Sequence, residues 1–383
     1  MEPSDTVREE SASAAIRVSP LRALLTFLFT SVRSKTQSSG TPPAISAMLG
    51  LAGPIALGVA TGHTGAGMIT SLGGLALSGG VKGDTFREQA RDLLYSVTAG
   101  GAAMFTGSIL AGHGAKTVFA VPAVAAAAAL LGSISRPLAV AATRFILFFV
   151  IAANLGIYGM HPTGLTCLFL IGALWTACLS VLLRKLFRLL RLYKIPHDSA
   201  QSPRYPAKLL VRRWIKSLAH LSGWQYTLRV TACLLAGQGF ELVRPHHHGY
   251  WAIITIMIVV QRDLQRALER AWERAIGTIL GVLLVGLLLL ASSSMWSTVI
   301  AIAALAAARP IFMQANYIAY ATVQTPLILL LLDFGRAPSW AIVADRLIAT
   351  LAGCAIALTI GYLGWSKIAP PARGTFAKKG ITG

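Results

Sequence analysis

The sequence predicts an all-α membrane protein, a bundle of about twelve transmembrane helices arranged as two six-helix repeats. The first observation is composition: the 383 residues are 55% hydrophobic and only 13% charged, with a mean hydropathy of +0.65. A soluble domain cannot bury so large an apolar fraction. The second observation is a regular succession of apolar segments, and the third is the position of the basic residues between them.

The apolar segments form two groups of six. The first group is expected at 44–60, 64–80, 93–111, 117–133, 138–158 and 163–185, and the second at 223–241, 247–261, 275–292, 296–308, 312–332 and 340–365. Several segments are shorter than the roughly 20 residues that a perpendicular span needs. One or two helices are therefore expected to be tilted, broken or re-entrant.

These groups divide the chain into five parts. Residues 1–43 are a cytoplasmic segment with an interfacial helix, 44–185 the first membrane unit, 186–222 a basic cytoplasmic linker, 223–366 the second membrane unit and 367–383 a cytoplasmic tail. Lys and Arg dominate the linker, and prolines interrupt it. We expect it to lie on anionic headgroups and to fix topology, with recruitment of an intracellular partner as the alternative.

The distribution of Lys and Arg sets the orientation. With both termini and the linker in the cytoplasm, 28 of the 34 basic residues fall inside; the other six are Lys116, Arg244 and Arg336 outside and Arg144, Arg229 and Arg346 within helices. Shifting the topology by one helix scatters these charges onto both faces. The positive-inside rule therefore predicts a multi-pass protein with both termini in the cytoplasm.

Arginines inside the apolar segments indicate an anionic substrate. Arg144, Arg229 and Arg346 lie there, and Asp345 is the one acid that is not at the end of a segment. A charge in hydrocarbon costs at least roughly 2.5 kcal/mol and usually faces a bundle interior or a watery cavity. A guanidinium grips a carboxylate through two hydrogen bonds. The alternatives are that Arg229 snorkels to the surface, that Arg346 forms a structural ion pair, and that Arg144 is structural.

A stripe of arginines precedes the ninth segment. Arg262, Arg266, Arg270 and Arg274 recur every four residues and so share one broad helical face. The stripe has acidic residues between its members, so contact with headgroups is one interpretation. A cytoplasmic mouth that concentrates anions is the other, and Arg274 is then the candidate for substrate contact.

An ordered motif in the second unit resembles a known family. It consists of Gly249-Tyr250-Trp251-Ala252, Gln261, Asp263, Arg274, Gly277-Thr278 and Gly281, with Arg229, Arg346 and Gly353 on flanking helices. This combination resembles the fusaric acid resistance and aromatic acid exporter family over about residues 223–366. The resemblance implies a bacterial inner-membrane exporter of aromatic carboxylic acids or related organic anions, sometimes with a periplasmic adaptor protein. Tyr250 and Trp251 are then candidates for contact with an aromatic substrate.

Two internal similarities accompany this motif. Ser135-Arg136-Pro137 and Ala308-Arg309-Pro310 follow the fourth and tenth segments, 173 residues apart. They indicate a weak repeat of two units with the same orientation and a central pathway between them. The segment from Arg274 to Gly281 also resembles that from Arg346 to Gly353, which we interpret as recurrent small-residue packing.

Three functional hypotheses remain open. The first is an exporter driven by the proton gradient, in which Glu241 or Asp345 carries the proton. The second is an organic-anion channel, and the third is a membrane scaffold that transports nothing. The sequence has no P-loop, catalytic nucleophile motif or metal-ligand motif, so we expect no enzyme, cofactor or metal. The basic residues separate apolar segments, which excludes nucleic acid as the partner, and a homodimer stays open.

Overall fold

The computed structural model describes residues 41–78, 86–111, 115–155, 161–190, 206–243, 249–261, 264–291, 294–334 and 340–366. Every regular element in these ranges is helical, and none of them contains a strand. The all-α class is therefore confirmed. The expected N-terminal interfacial helix and the C-terminal tail lie outside the described residues.

Six helices form each half, and one further helix lies between the halves. The first half contains α1 (Thr41–Thr61), α2 (Thr64–Leu77), α3 (Phe86–Leu110), α4 (Ala115–Leu131), α5 (Arg136–Leu155) and α6 (Pro162–Leu189). Helix α7 (Ala207–Leu218) lies in the linker. The second half contains α8 (Leu221–Val243), α9 (Tyr250–Val259), α10 (Leu264–Ala291), α11 (Met295–Ala315), α12 (Tyr317–Leu332) and α13 (Trp340–Leu358). A π-helical turn, Thr359–Leu363, continues α13.

The helices are those of a multi-pass membrane protein. Each of the twelve expected apolar segments overlaps a described helix, and 7 described helices are long and apolar enough to cross a membrane. Helices α2, α4, α9 and α12 are shorter apolar helices. The number of helices that cross the membrane, twelve in the sequence interpretation, stays a prediction.

Four helix boundaries differ clearly from those expected. Helices α3 and α10 begin at Phe86 and Leu264, several residues before their apolar segments, because charged first turns make helical hydrogen bonds as well as apolar ones do. Helix α11 was expected to end at 308, before a proline. It continues through Pro310, since a membrane helix tolerates an internal proline, and the next helix begins after Asn316.

The two halves show the same pairwise packing. Within each half the second helix packs on the sixth, the third on the fifth and on the sixth, and the fifth on the fourth. Between the halves, α1 packs on α11 and α4 packs on α8. The contact of α10 with α13, the third and sixth helices of the second half, forms the site described next.

Glycines permit the close approach of these helices. A Cβ added at Gly281 of α10 would lie 2.8 Å from the Cβ of Thr325 on α12. One added at Gly353 of α13 would lie 2.7 Å from the carbonyl oxygen of Ala252 on α9. Real Cβ atoms do not approach so closely, so larger residues there would separate the helices. The interpretation of these glycines as packing residues is confirmed.

Candidate anion-binding site

Two helices of the second half carry the same polar pattern on one face. The pattern is arginine, threonine four residues later and glycine three residues after that: Arg274, Thr278 and Gly281 on α10, and Arg346, Thr350 and Gly353 on α13. Residues at this spacing share one side of a helix. All four polar side chains are at most 1% exposed. The repeated pattern therefore contains more than packing glycines. It also includes two arginines and two threonines that are buried in the protein interior.

The two patterns meet where α10 packs on α13. Arg274 lies within Coulombic range of both Arg346 and Tyr317, the first residue of α12. On the same side, the thiol of Cys354 on α13 lies 3.7 Å from the carbonyl oxygen of Ala271 on α10. Three helices thus bring their polar side chains to one buried place.

Most hydrogen-bonding atoms of this place have no partner among the described residues. The unpartnered atoms are Nε and Nη2 of Arg274, all three guanidinium nitrogens of Arg346, the hydroxyl oxygens of Thr278 and Thr350, and the hydroxyl oxygen of Tyr317. An unsatisfied buried polar group costs about 1–3 kcal/mol, and more when charged. These groups therefore destabilise the empty protein, so a structural role does not explain why they are buried together. The same donors suit an anion that has several oxygen atoms.

An aromatic ring contacts one arginine of the site. The Cζ atom of Arg346 lies 3.6 Å from the centroid of the Trp251 ring, a cation–π contact. Trp251 is 1% exposed and is also stacked on Tyr250, with the two ring centroids 4.8 Å apart. Trp251 therefore supports a guanidinium and does not present an open face to a ligand.

The arginine stripe contributes one more cation next to the site. The Cζ atom of Arg270 lies 3.7 Å from the centroid of the Tyr317 ring, and its Nη1 lies 3.4 Å from Oε2 of Glu273. Arg270 therefore has an acidic partner within the same helix. Arg262 and the side chain of Arg266 lie outside the described residues, so the role of the stripe stays a prediction.

Arg229 binds a different element. It is 1% exposed, and its Nε donates to the carbonyl oxygen of Gly361 at 2.7 Å, while its Nη2 has no partner among the described residues. Gly361 lies in the π-helical turn after α13, where the altered hydrogen-bond register frees backbone carbonyls. Arg229 therefore joins α8 to this turn.

Arg144 is paired, and its partner corrects the sequence analysis. Its Nη1 lies 3.8 Å from Oδ1 of Asp92 and donates to the hydroxyl of Ser96, both on α3. Asp345 was counted as the one acid within the apolar segments. Because α3 begins at Phe86, Asp92 also lies inside a helix and faces Arg144.

The two expected proton carriers are less buried than the unpartnered donors. Asp345 is half-buried on α13 and interacts with other residues. Glu241 is half-buried in the last turn of α8, next to Gly249. Their role in proton coupling stays a prediction. Within the described ranges, His, Cys, Asp and Glu form no group that could hold a metal ion.

Sequence reasoning missed Arg309, which joins the two halves. Its Nε donates to Oε1 of Gln324 at 2.5 Å, and its Nη2 donates to the hydroxyl of Tyr320 at 3.3 Å. Its Nη1 donates to the hydroxyl of Ser78 at the end of α2, in the first half. The following proline suggested a surface turn. The apolar residues after that proline were the signal that the helix, and Arg309 with it, continues inside the bundle.

A bundle of apolar helices around buried arginines is typical of a multi-pass membrane transporter. Residues 232–360 match the family model described as fusaric acid resistance protein-like. For residues 232–360 this match confirms the resemblance predicted from the sequence, and the matched segment contains Trp251, Arg274, Tyr317 and Arg346. No curated protein and no solved structure matches the chain.

Proposed function

We propose that the protein transports organic anions across the membrane and binds the carboxylate of its substrate between Arg274 and Arg346. The observation that supports this function is the group of buried donors without partners on α10, α12 and α13. A carboxylate would satisfy several of them at once. The nearby threonine and tyrosine hydroxyls would complete its coordination.

The chemistry of the site fits repeated binding and release. Guanidinium groups stay protonated at any physiological pH, so the site keeps its positive charge when it is empty. Burial removes competing water, which strengthens attraction to an anion. At the same time, two like charges close together raise the energy of the empty site. A bound anion relieves this repulsion, which gives the substrate a driving force to enter.

We further propose the arrangement of the protein in its membrane. The two units, 44–185 and 223–366, are parallel repeats in a bacterial inner membrane, with both termini cytoplasmic and a pathway between the repeats. The family description and the distribution of Lys and Arg support this arrangement. Aromatic carboxylic acids are the proposed exported substrates and the proton gradient the energy source, with Asp345 and Glu241 as the proton carriers.

The test is uptake of labelled aromatic acids into inverted membrane vesicles that contain the full chain. Uptake is measured with and without an imposed proton gradient, and vesicles with Arg346→Gln protein serve as the control. Uphill accumulation that an uncoupler abolishes and that Arg346→Gln lacks supports the proposed exporter. Downhill, voltage-sensitive flux that Arg346→Gln lacks keeps the site but replaces the exporter by a channel.

Two further outcomes overturn the proposal. Flux that is unchanged in the Arg346→Gln protein shows that the anion passes elsewhere. Absence of flux for every acid, in vesicles with folded protein, favours a scaffold or the need for an adaptor protein. Direct binding to the solubilised full chain separates these two, because a scaffold binds no acid.

A further inference from the structure

We infer that the site recognises the anionic head group of its substrate and not an aromatic ring, so that aromatic and saturated carboxylates of similar size bind alike. This inference rests on the proposed function and narrows it. It departs from the expectation that Tyr250 and Trp251 contact an aromatic substrate.

The indole of Trp251 is already occupied. The guanidinium of Arg346 lies over its ring at 3.6 Å, and the ring of Tyr250 stacks on it at 4.8 Å between centroids. Both contacts involve the ring itself, so the ring is covered by protein groups. A substrate ring can stack on Trp251 only by displacing Arg346, which is the group proposed to hold the carboxylate.

The phenol of Tyr317 is covered in the same way. The guanidinium of Arg270 lies 3.7 Å from its ring centroid, and the ring of Tyr320 lies 5.7 Å away between centroids. What Tyr317 leaves unpartnered is its hydroxyl and not its ring face. Both aromatic residues therefore use their rings to hold protein cations, and the site presents hydrogen-bond donors.

The atoms of the site that lack partners among the described residues are hydrogen-bond donors. All nitrogens that lack a partner belong to guanidinium groups, and all such oxygens near them are hydroxyls able to donate. Donors recognise the oxygen atoms of a carboxylate, whatever carbon skeleton carries it. A stacked ring would instead favour an aromatic acid by roughly two- to twelvefold.

The experiment is calorimetric titration of the full chain in detergent with benzoate, with cyclohexanecarboxylate and with benzyl alcohol. The two acids match in charge and ring size and differ in aromaticity, and the alcohol keeps the ring without the charge. We expect the two dissociation constants to agree within about twofold. We also expect no binding of benzyl alcohol.

A larger preference for benzoate, or binding of benzyl alcohol, overturns the inference while the proposed anion site stands. Failure of both acids to bind overturns the proposed function itself. The Trp251→Leu protein gives a second test, because Trp251 acts here as a support for Arg346. Weaker binding of both acids by the same factor supports the inference, and a loss confined to benzoate contradicts it.

Discussion

The two halves of the molecule share their helix packing and differ in what they bury. In the first half, a Cβ at Gly107 of α3 would lie 2.7 Å from the Cβ of Ala152 on α5. In the second half, a Cβ at Gly281 of α10 would lie 2.8 Å from the Cβ of Thr325 on α12. Residues 152 and 325 are 173 positions apart, the same offset as the two arginine-proline motifs. These glycine contacts therefore align the two halves.

Counting from these glycines identifies the first-half counterpart of the anion site. Seven residues before Gly281 lies Arg274, and seven before Gly107 lies Gly100, where a Cβ would be 2.7 Å from the ring of Phe169. On the sixth helix of each half, a glycine approaches a backbone carbonyl of the second helix: Gly353 that of Ala252, and Gly172 that of Thr70. When Gly172 is aligned with Gly353, Leu165 is the first-half equivalent of Arg346, and Phe169 is the equivalent of Thr350.

The difference between the halves supports a binding role for the buried arginines. Leu165 and Phe169 are buried in the apolar core, where they fill the space that polar donors occupy in the second half. The same packing of helices therefore forms without any arginine. Arg274 and Arg346 are costly additions to a scaffold that does not need them, which is expected of a binding site whose strain serves function.

The largest effect is expected from removing a charge at the site. Arg346→Gln, and separately Arg274→Gln, should weaken substrate binding at least about thirtyfold, because a buried charged hydrogen-bond donor contributes roughly 2–5 kcal/mol. The thermal midpoint of the empty protein should stay equal or rise, since the variant no longer buries charged nitrogens that lack hydrogen-bond partners among the described residues. Titration with benzoate and thermal unfolding in detergent measure the two quantities.

Arg229→Gln is the matched control for this experiment. Its Nε hydrogen bond to Gly361 is satisfied, so its loss should lower the thermal midpoint. If Arg346→Gln lowered the thermal midpoint as much as Arg229→Gln and left binding intact, Arg346 would be a structural residue and the contrast between the halves would disappear.

The next largest effect concerns the packing that the halves share. Gly281→Ala and Gly107→Ala each place a methyl group within 3 Å of a neighbouring side chain. Each should lower the free energy of unfolding by about 1–3 kcal/mol. Thermal unfolding of the two variants should give similar shifts. A loss of stability for Gly281→Ala alone would show that the alignment of the halves is wrong.

A smaller effect is expected at the paired arginine of the first half. Arg144→Gln removes the guanidinium that faces Asp92 and should lower stability by about 1–3 kcal/mol, while benzoate binding to the folded protein stays within about twofold. The double variant with Asp92→Asn should recover part of this loss. An additive result, with no recovery, would contradict the pairing, and a large loss of binding would place Arg144 in the site.

The sequence predicted the helical fold because apolar segments and basic loops follow directly from the cost of placing charge in lipid. It also predicted Arg346 and Arg274 as site residues, since an arginine in an apolar segment is costly wherever it points. It missed the charged first turn of α3, and with it Asp92, because hydropathy measures lipid contact and not helical hydrogen bonding.

What the sequence could not predict is which arginines lack partners. Arg144, Arg274 and Arg309 look alike as isolated cations, and only the packing of neighbouring helices gives Arg144 an aspartate and Arg309 three neutral oxygens. Likewise, Trp251 looked like a ligand-binding aromatic until the structure placed Arg346 on its ring. Pairing is a property of tertiary contacts, which local pattern does not encode.

The smallest effect is expected for Thr350, and Thr325, another buried threonine of the second half, is its control. The hydroxyl of Thr325 donates to the carbonyl oxygen of Ala321 at 2.9 Å, whereas that of Thr350 has no partner among the described residues. Valine has the same shape as threonine without the hydroxyl. Thr350→Val should therefore weaken benzoate binding by roughly two- to twelvefold, the worth of one hydrogen bond, and leave stability equal or higher. Thr325→Val should leave binding unchanged. Equal effects on binding would mean that Thr350 donates no hydrogen bond to the anion. The arginines alone would then bind the anion, and the threonines of this half would have no part in the site.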